Sequence, residues 1–199
     1  RNYNYRNKAV RLYEIGKVYF ARPDGMADEP KLLCLGGYGG GMDFFQLKGA
    51  VERILAGLRI SDVTFEAESE NPSYHPGRCA KVYAGGKLLG VLGQIHPLAA
   101  ANYGVDAELY TAELQLDGML AARGVTPVYT PLPRFPAVTR DVAIVCSADI
   151  PVAKLSACIL AAGGQYLKGC ELFDVYTGAP IPVGYKSVAF SLTLRADDQ

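Results

Sequence analysis

Apolar and polar residues alternate with a period of two along "KSVAFSLTLR", residues 186–195. Val188, Phe190, Leu192 and Leu194 point one way, and Ser187, Ala189, Ser191, Thr193 and Arg195 the other, which predicts a strand with one buried and one open face. Lys186 falls in line with the apolar row, but at the strand's start, where its amine can reach water. A different period governs residues 43–58. Leu47, Val51, Ile54, Leu55 and Leu58 share one face of a helix. Asp43 and Gln46 have the spacing of a capping box at its start. Phe44 and Phe45 exceed what a single apolar stripe needs, leaving one of them for a partner.

The remaining pattern is rich in strands. "VRLYEIGKVYF" (10–20) predicts a strand with a bulge at Gly16, "KLLCLGG" (31–37) a buried strand, and "DVTFEAE" another. Residues 80–95 predict a hairpin turning at Gly85 and Gly86. Pro97 and Gly104 bracket a short helix, residues 107–116 form a strand, and a short helix follows Asp117. Pro127, Pro131, Pro133 and Pro136 then stiffen residues 126–136 into an extended segment, where the domain boundary is expected. Beyond it come a buried strand (141–146), a helix (152–162) and two strands (170–176 and 186–195). The order β-α-β-β is the first two-thirds of a split βαβ unit, whose last helix and strand would follow Gln199.

Composition narrows the function classes. The 199 residues carry 20 basic and 20 acidic side chains, balanced 14 to 14 before Pro127 and 6 to 6 from it onward. Neither half exerts a global pull on nucleic acid, so any RNA contact is local or made by shape and stacking. Five dispersed cysteines without a C-x-x-C read as small buried hydrophobes of a reducing cytosol. No apolar run approaches the ~20 residues of a membrane span. The chain has no initiating Met and is expected to be a fragment.

Few residues look chemical. "GGYGGGMD" lacks the Gly-Lys-Ser/Thr of a phosphate loop and puts Asp43 where a phosphate would sit, so it reads as a flexible loop feeding a capped helix. His75 and His96 lack further metal ligands at fitting spacing and are expected to be structural. A pairing of Cys79 with either histidine has no local signature of a nucleophile. The small open-face row of residues 187–195 leaves room for a flat base, with Tyr176 or Phe173 supplying a stacking ring; an ordinary solvated face accounts for the same row. Arg134 and Arg140 flank the first strand of this second domain, where they could hold phosphates as charged forks; equally, Arg140 could pair with Asp141 or Asp174.

Six collinear segments, "RLYEIGKVYF", "DFFQLKGAVERIL", "HPGRCAKVYAGGKLLGVLGQIHP", "LPRFPAVTRDVAIV", "LFDVYTG" and "GYKSVAFSLTLRADD", closely resemble the C-terminal part of the bacterial phenylalanyl-tRNA synthetase beta subunit family. The resemblance implies an α+β chain. Residues 1–125 would be a class II synthetase-like antiparallel-sheet module that has lost activity, 126–136 a linker, and 137–199 a ferredoxin-like anticodon-binding domain that is C-terminally truncated. It implies no catalytic residue and no cofactor here, with ATP and magnesium expected only for the parent ligase. Consistent with that, "GVLGQIHPLAAANYG" has no arginine, and Arg11 and Glu14 look like remnants of an ATP-binding motif. The implied partners are phenylalanine tRNA and a catalytic alpha subunit, in a cytoplasmic assembly of two alpha and two beta subunits with no membrane. RNA contacts are expected from Arg134, Arg140, Tyr176, Lys186, Ser191 and Arg195, and subunit contacts from Phe44 and Phe45. The competing readings are an amino-acid-binding regulatory module on the ferredoxin-like fold and, third, a Cys–His hydrolase.

Overall fold

The structure is a computed structural model that describes residues 2–129, 131–133 and 136–196. The chain divides into two compact units between Pro127 and Val128, within the proline-rich stretch.

The first unit is built on one six-stranded antiparallel sheet. Its elements are β1 (Val10–Lys17), the short β2 (Phe20–Ala21) and β3 (Ala27–Asp28), β4 (Lys31–Tyr38), α1 (Phe44–Gly57), β5 (Val63–Ala67), β6 (Tyr74–Ala84), β7 (Lys87–Ile95), α2 (Pro97–Asn102), β8 (Tyr110–Gln115) and α3 (Leu116–Ala122). The strand order is β1-β4-β8-β7-β6-β5, and β2 pairs with β3 alone. One sheet face is covered by α1 and α3. Leu47, Val51 and Leu55 of α1 and Met119 of α3 pack there on Leu33, Val82, Leu92, Ala112 and Leu114. Ile54 and Leu58 flank that core, so the apolar stripe is the packed face.

Local chemistry sets the element ends. The Asp43 carboxylate accepts from the Gln46 backbone N–H at 2.7 Å and caps α1. Asp43→Ala is expected to lower stability by about 1 kcal/mol, measurable by urea denaturation, with Asp43→Asn nearly neutral. Gly85 and Gly86 turn the β6–β7 hairpin, both at positive φ. The glycine loop before α1 is shaped rather than slack. Gly39, Gly40 and Gly41 all lie at positive φ, and a Cβ on Gly39 would stand 1.9 Å from the Lys8 carbonyl oxygen. Gly16 makes no bulge, because β1 keeps continuous register with β4 from Val10↔Tyr38 to Lys17↔Lys31. The strand ends there, and Phe20 begins the separate β2–β3 ribbon.

The second unit contains β9 (Val138–Ser147), α4 (Val152–Ala162), β10 (Leu167–Tyr176) and β11 (Tyr185–Leu194). The sheet order is β10-β11-β9, antiparallel throughout, with the third strand between the first two as a split βαβ unit requires. The apolar row of β11 is the core: Val188 is 0% and Phe190 1% exposed. Ser156 of α4 contacts the Cys170 sulfur, and Cys170 shares a face with Leu192, so α4 covers this row. The expectation of a buried first strand is corrected here. Val142 is 38% and Val145 54% exposed, because β9 pairs with β11 on one side only among the described residues. Of the cysteines, Cys79 is buried, Cys34, Cys146 and Cys170 are half-buried, and Cys158 is exposed on α4; all are free.

Candidate nucleic-acid interface

The register of the second unit assigns every paired side chain to a face. On β9, Val138, Arg140, Val142, Ile144 and Cys146 pair with Leu194, Leu192, Phe190, Val188 and Lys186, and therefore lie on the α4 side. On the open side, Val145 pairs with Ser187, Ala143 with Ala189 and Asp141 with Ser191. On β10, Glu171 pairs with Ser191, Asp174 with Ala189 and Tyr176 with Ser187. The β10 register shifts between Leu172 and Asp174, leaving Phe173 as the extra residue. In an unbulged strand Asp174 and Tyr176 would follow Leu172 onto the helix side. The bulge turns both onto the open face, which places the Tyr176 ring opposite Ser187 there.

That ring is held in place. The Tyr176 hydroxyl donates to the Ala179 carbonyl at 2.9 Å, and a Cβ on Gly178 would lie 2.3 Å from the hydroxyl oxygen. A side chain at 178 would push the Tyr176 ring from this position. The open face presents Tyr176 beside Asp174, with Ser187, Ala189 and Ser191 as a low floor between the outer strands. A base can stack on the ring while the carboxylate and hydroxyls meet its edge. Asp174, Ser187 and Gly178 were missing from the expected set. Ser187 was visible in the alternating row, and Gly178 in its spacing from Tyr176, but Asp174 depends on the bulge.

The other expected contacts are scattered. Arg140 is exposed on the α4 side and donates to the Thr139 carbonyl at 2.9 Å. Its alternation with Val142 and Ile144 already signalled that side. The Lys186 ammonium donates to the carbonyls of Ala148 (2.9 Å) and Ile150 (2.5 Å), fixing the turn into α4. Arg195 follows β11, and its backbone N–H donates to the Tyr166 carbonyl. Arg134 lies outside the described residues.

In the first unit, the face away from α1 carries one continuous cross-strand row, Glu14–Cys34–Glu113–Val91–Lys81–Glu66. Burial first, then the charges of Glu113 and Glu14, pushes the Cys34 thiol up. The Lys81 ammonium pairs with Glu68, whose carboxyl is held below the usual range by that bond and by the Glu70 backbone N–H. No paired position on this face is an arginine, and Arg11 lies on the opposite face from Glu14, paired with Gly37. The paired row thus carries three carboxylates and one cation, Lys81, which is engaged by Glu68. Burial and Glu68 push the Cys79 thiol up to about 11, the reverse of an activated nucleophile. The histidines act in the backbone: His75 Nδ1 accepts from Gly77 N–H and His96 Nδ1 from Leu98 N–H, the latter capping α2. Among the described residues, no three His, Cys, Asp or Glu side chains gather to hold a metal.

At the start of α1, Phe44 is half-buried and Phe45 is 75% exposed, their rings edge-on at 5.5 Å. They border a cleft of about 630 Å³ lined also by Phe65, Arg78 and Tyr110. Its polar end is organised by Arg78, which donates to Gln94 at 2.7 Å and Glu108 at 2.9 Å, while the Tyr110 hydroxyl donates to Glu108 at 2.7 Å.

Residues 1–116 match the family model described as the phenylalanyl tRNA synthetase beta chain CLM domain, and residues 133–199 match the ferredoxin-fold anticodon binding domain. Among curated relatives, the phenylalanine–tRNA ligase beta subunit of Clostridium tetani is 41% identical over 98% of this chain and 25% of its own length. That of Clostridium acetobutylicum is 39% identical over 100% of this chain and 25% of the relative, and that of Moorella thermoacetica 41% over 100% and 26%. The chain spans about a quarter of the length of the curated relatives it matches.

Proposed function

Because this chain belongs to the phenylalanyl-tRNA synthetase beta chain family, we propose that it supplies the parent ligase with surfaces for binding and none for catalysis. The second unit binds the anticodon region of phenylalanine tRNA during aminoacylation, and the first packs against a catalytic alpha subunit. The observation that carries the RNA assignment is the placement of Tyr176, Asp174 and Ser187 on one open sheet face, within the residues that match the anticodon-binding model. Tyr176 stacks a base, and Asp174 accepts from that base's amino edge. Ser187 and Ser191 line the floor. Arg140 contacts an RNA strand passing the edge of β9 left open among the described residues, and Arg195 contacts one leaving the end of β11.

The test uses full-length beta subunit assembled with its alpha partner. Tyr176→Ala is expected to weaken binding of phenylalanine tRNA about 5- to 150-fold, the range for loss of one base–aromatic stack, while Tyr176→Phe stays near wild type. Unchanged affinity in the alanine variant would remove the assignment. The first unit is a scaffold on this reading, because the sheet face away from α1 carries Glu14, Glu113 and Glu66, with Lys81 as the one cation of that row and already paired with Glu68. Exposed Phe45, the Phe44 ring and the cleft beside them form the surface that meets the alpha subunit. Two alpha and two beta subunits make up the assembly, in the cytoplasm. Among the described residues, no helix is long and apolar enough to cross a membrane.

A further inference from the structure

The cleft at the start of α1 holds one charged group with donors to spare. Both hydrogen bonds that the Arg78 side chain makes among the described residues leave from Nη1, to Gln94 at 2.7 Å and to Glu108 at 2.9 Å. Gln94 is buried, and Glu108 is itself held by the Tyr110 hydroxyl, so the guanidinium plane is fixed. Its Nε and Nη2 form a second edge that engages no acceptor among the described residues, on a side chain that is 48% exposed at the cleft. The other charged groups lining the cleft are occupied. Asp43 caps α1, and the Lys48 ammonium pairs with Glu52 and lies 4.3 Å from the Phe65 ring centroid. The wall beside Arg78 is aromatic, with Phe44 and Phe65 half-buried and Phe45 exposed at the rim.

We propose that this cleft seats one anchor of the alpha subunit: an apolar side chain lodged against Phe44, Phe45 and Phe65, with an aspartate or glutamate close by in sequence whose carboxylate docks on the Nε–Nη2 edge of Arg78. The proposal rests on the reading that this surface meets the alpha subunit, and adds to it the chemistry of what enters. The two oxygens of a carboxylate match the two parallel N–H donors of such an edge. Arginine has five donors, so Glu108 and an incoming carboxylate can occupy separate edges of one guanidinium. An incoming lysine or arginine would meet like charge at the same place, which makes the cleft selective as well as adhesive. Aromatic side chains and arginine carry most of the energy at protein interfaces, and here they line one cleft.

The experiment uses full-length beta subunit assembled with its alpha partner. With the photo-crosslinker p-benzoylphenylalanine in place of Phe45, illumination is expected to join beta to an alpha peptide that carries Asp or Glu within about four residues of the joined position, the spacing of neighbours on one helical turn. Dissociation on dilution, followed by mass photometry, then reads affinity. Phe45→Ala is expected to weaken alpha–beta association about 30-fold, and Arg78→Lys, which keeps the charge and loses the fork, about tenfold. Replacing the identified acid of the alpha subunit by its amide is expected to cost a similar factor, and little more when combined with Arg78→Lys. An alpha peptide with no acid near the joined position overturns the inference. So does an association unmoved by Arg78→Lys or by the amide, and so do losses that simply multiply in the combined variant. In each of those cases the alpha-facing reading of this surface stands. If the crosslinker at position 45 joins to no alpha peptide, that reading falls and the inference falls with it.

Discussion

Phe190→Ala is expected to unfold the second unit and leave the first intact. In this three-stranded sheet the buried row rests on Val188 and Phe190, and the ring at 1% exposure is the largest fully buried side chain beyond the first unit. Truncating a buried Phe to Ala costs about 3–5 kcal/mol, a large share of what a domain this small has. Hydrogen exchange followed by mass spectrometry reads the result by segment. Amides of β9, β10 and β11 are expected to lose protection while those of β4, β7 and β8 keep theirs. Binding of phenylalanine tRNA is expected to fall with it, since the open face exists only while β11 is held between its neighbours. Retained protection in β11 would mean that α4 and the sheet close over the lost volume, and the account of this core would be wrong.

Gly90→Ala is expected to break the first unit at the centre of its sheet. Gly90 sits in β7 opposite Leu114 of β8, and an added Cβ would stand 2.0 Å from the Glu113 carbonyl oxygen and 2.9 Å from the Leu114 Cα. Backbone atoms in a central pair of strands cannot step aside as a flexible side chain can. The methyl group must push β7 from β8, and the Leu92–Ala112–Leu114 core lies directly beneath that seam. A loss of about 3 kcal/mol or more in urea denaturation is expected. Gly49→Ala is the control, because it lies inside α1 with nothing within 4 Å of its added methyl and is expected to stabilise by about 0.5–1 kcal/mol. Equal effects at the two positions would show that helix and strand propensity, not the close approach of β7 and β8, governs the response.

Much of the second unit was legible from its pattern. The helix Val152–Ala162 has its expected bounds, and Val188 and Phe190 are buried as their alternation requires. Strand ends were less legible. β9 runs from Val138 where residue 141 was expected, and β6 begins at Tyr74 rather than 80, because partner strands extend a ladder past the point where local hydrophobicity stops. The candidate site was legible in its composition but not in its membership. Tyr176 and Ser191 share the open face, whereas Lys186 is bound to two carbonyls on the other side. No local rule reveals that an amine at a strand start will find the Ala148 and Ile150 carbonyls, thirty-odd residues away, within reach.

From its sequence alone this chain has α1 with its Asp43 cap, the glycine hairpin, the β-α-β-β order and its likeness to the beta-subunit family. These follow from periodicity, capping and turn chemistry, which act between residues a few positions apart. Tertiary structure alone decided that Asp174 and Tyr176 turn to the open face, that β9 stands half-exposed, and that Glu14, Cys34 and Glu113 align across three strands. Side chains in a strand alternate with a period of two, so one unpaired residue at Phe173 reverses every face assignment after it. Whether a residue is unpaired depends on the neighbouring strand, and that neighbour is chosen by the fold.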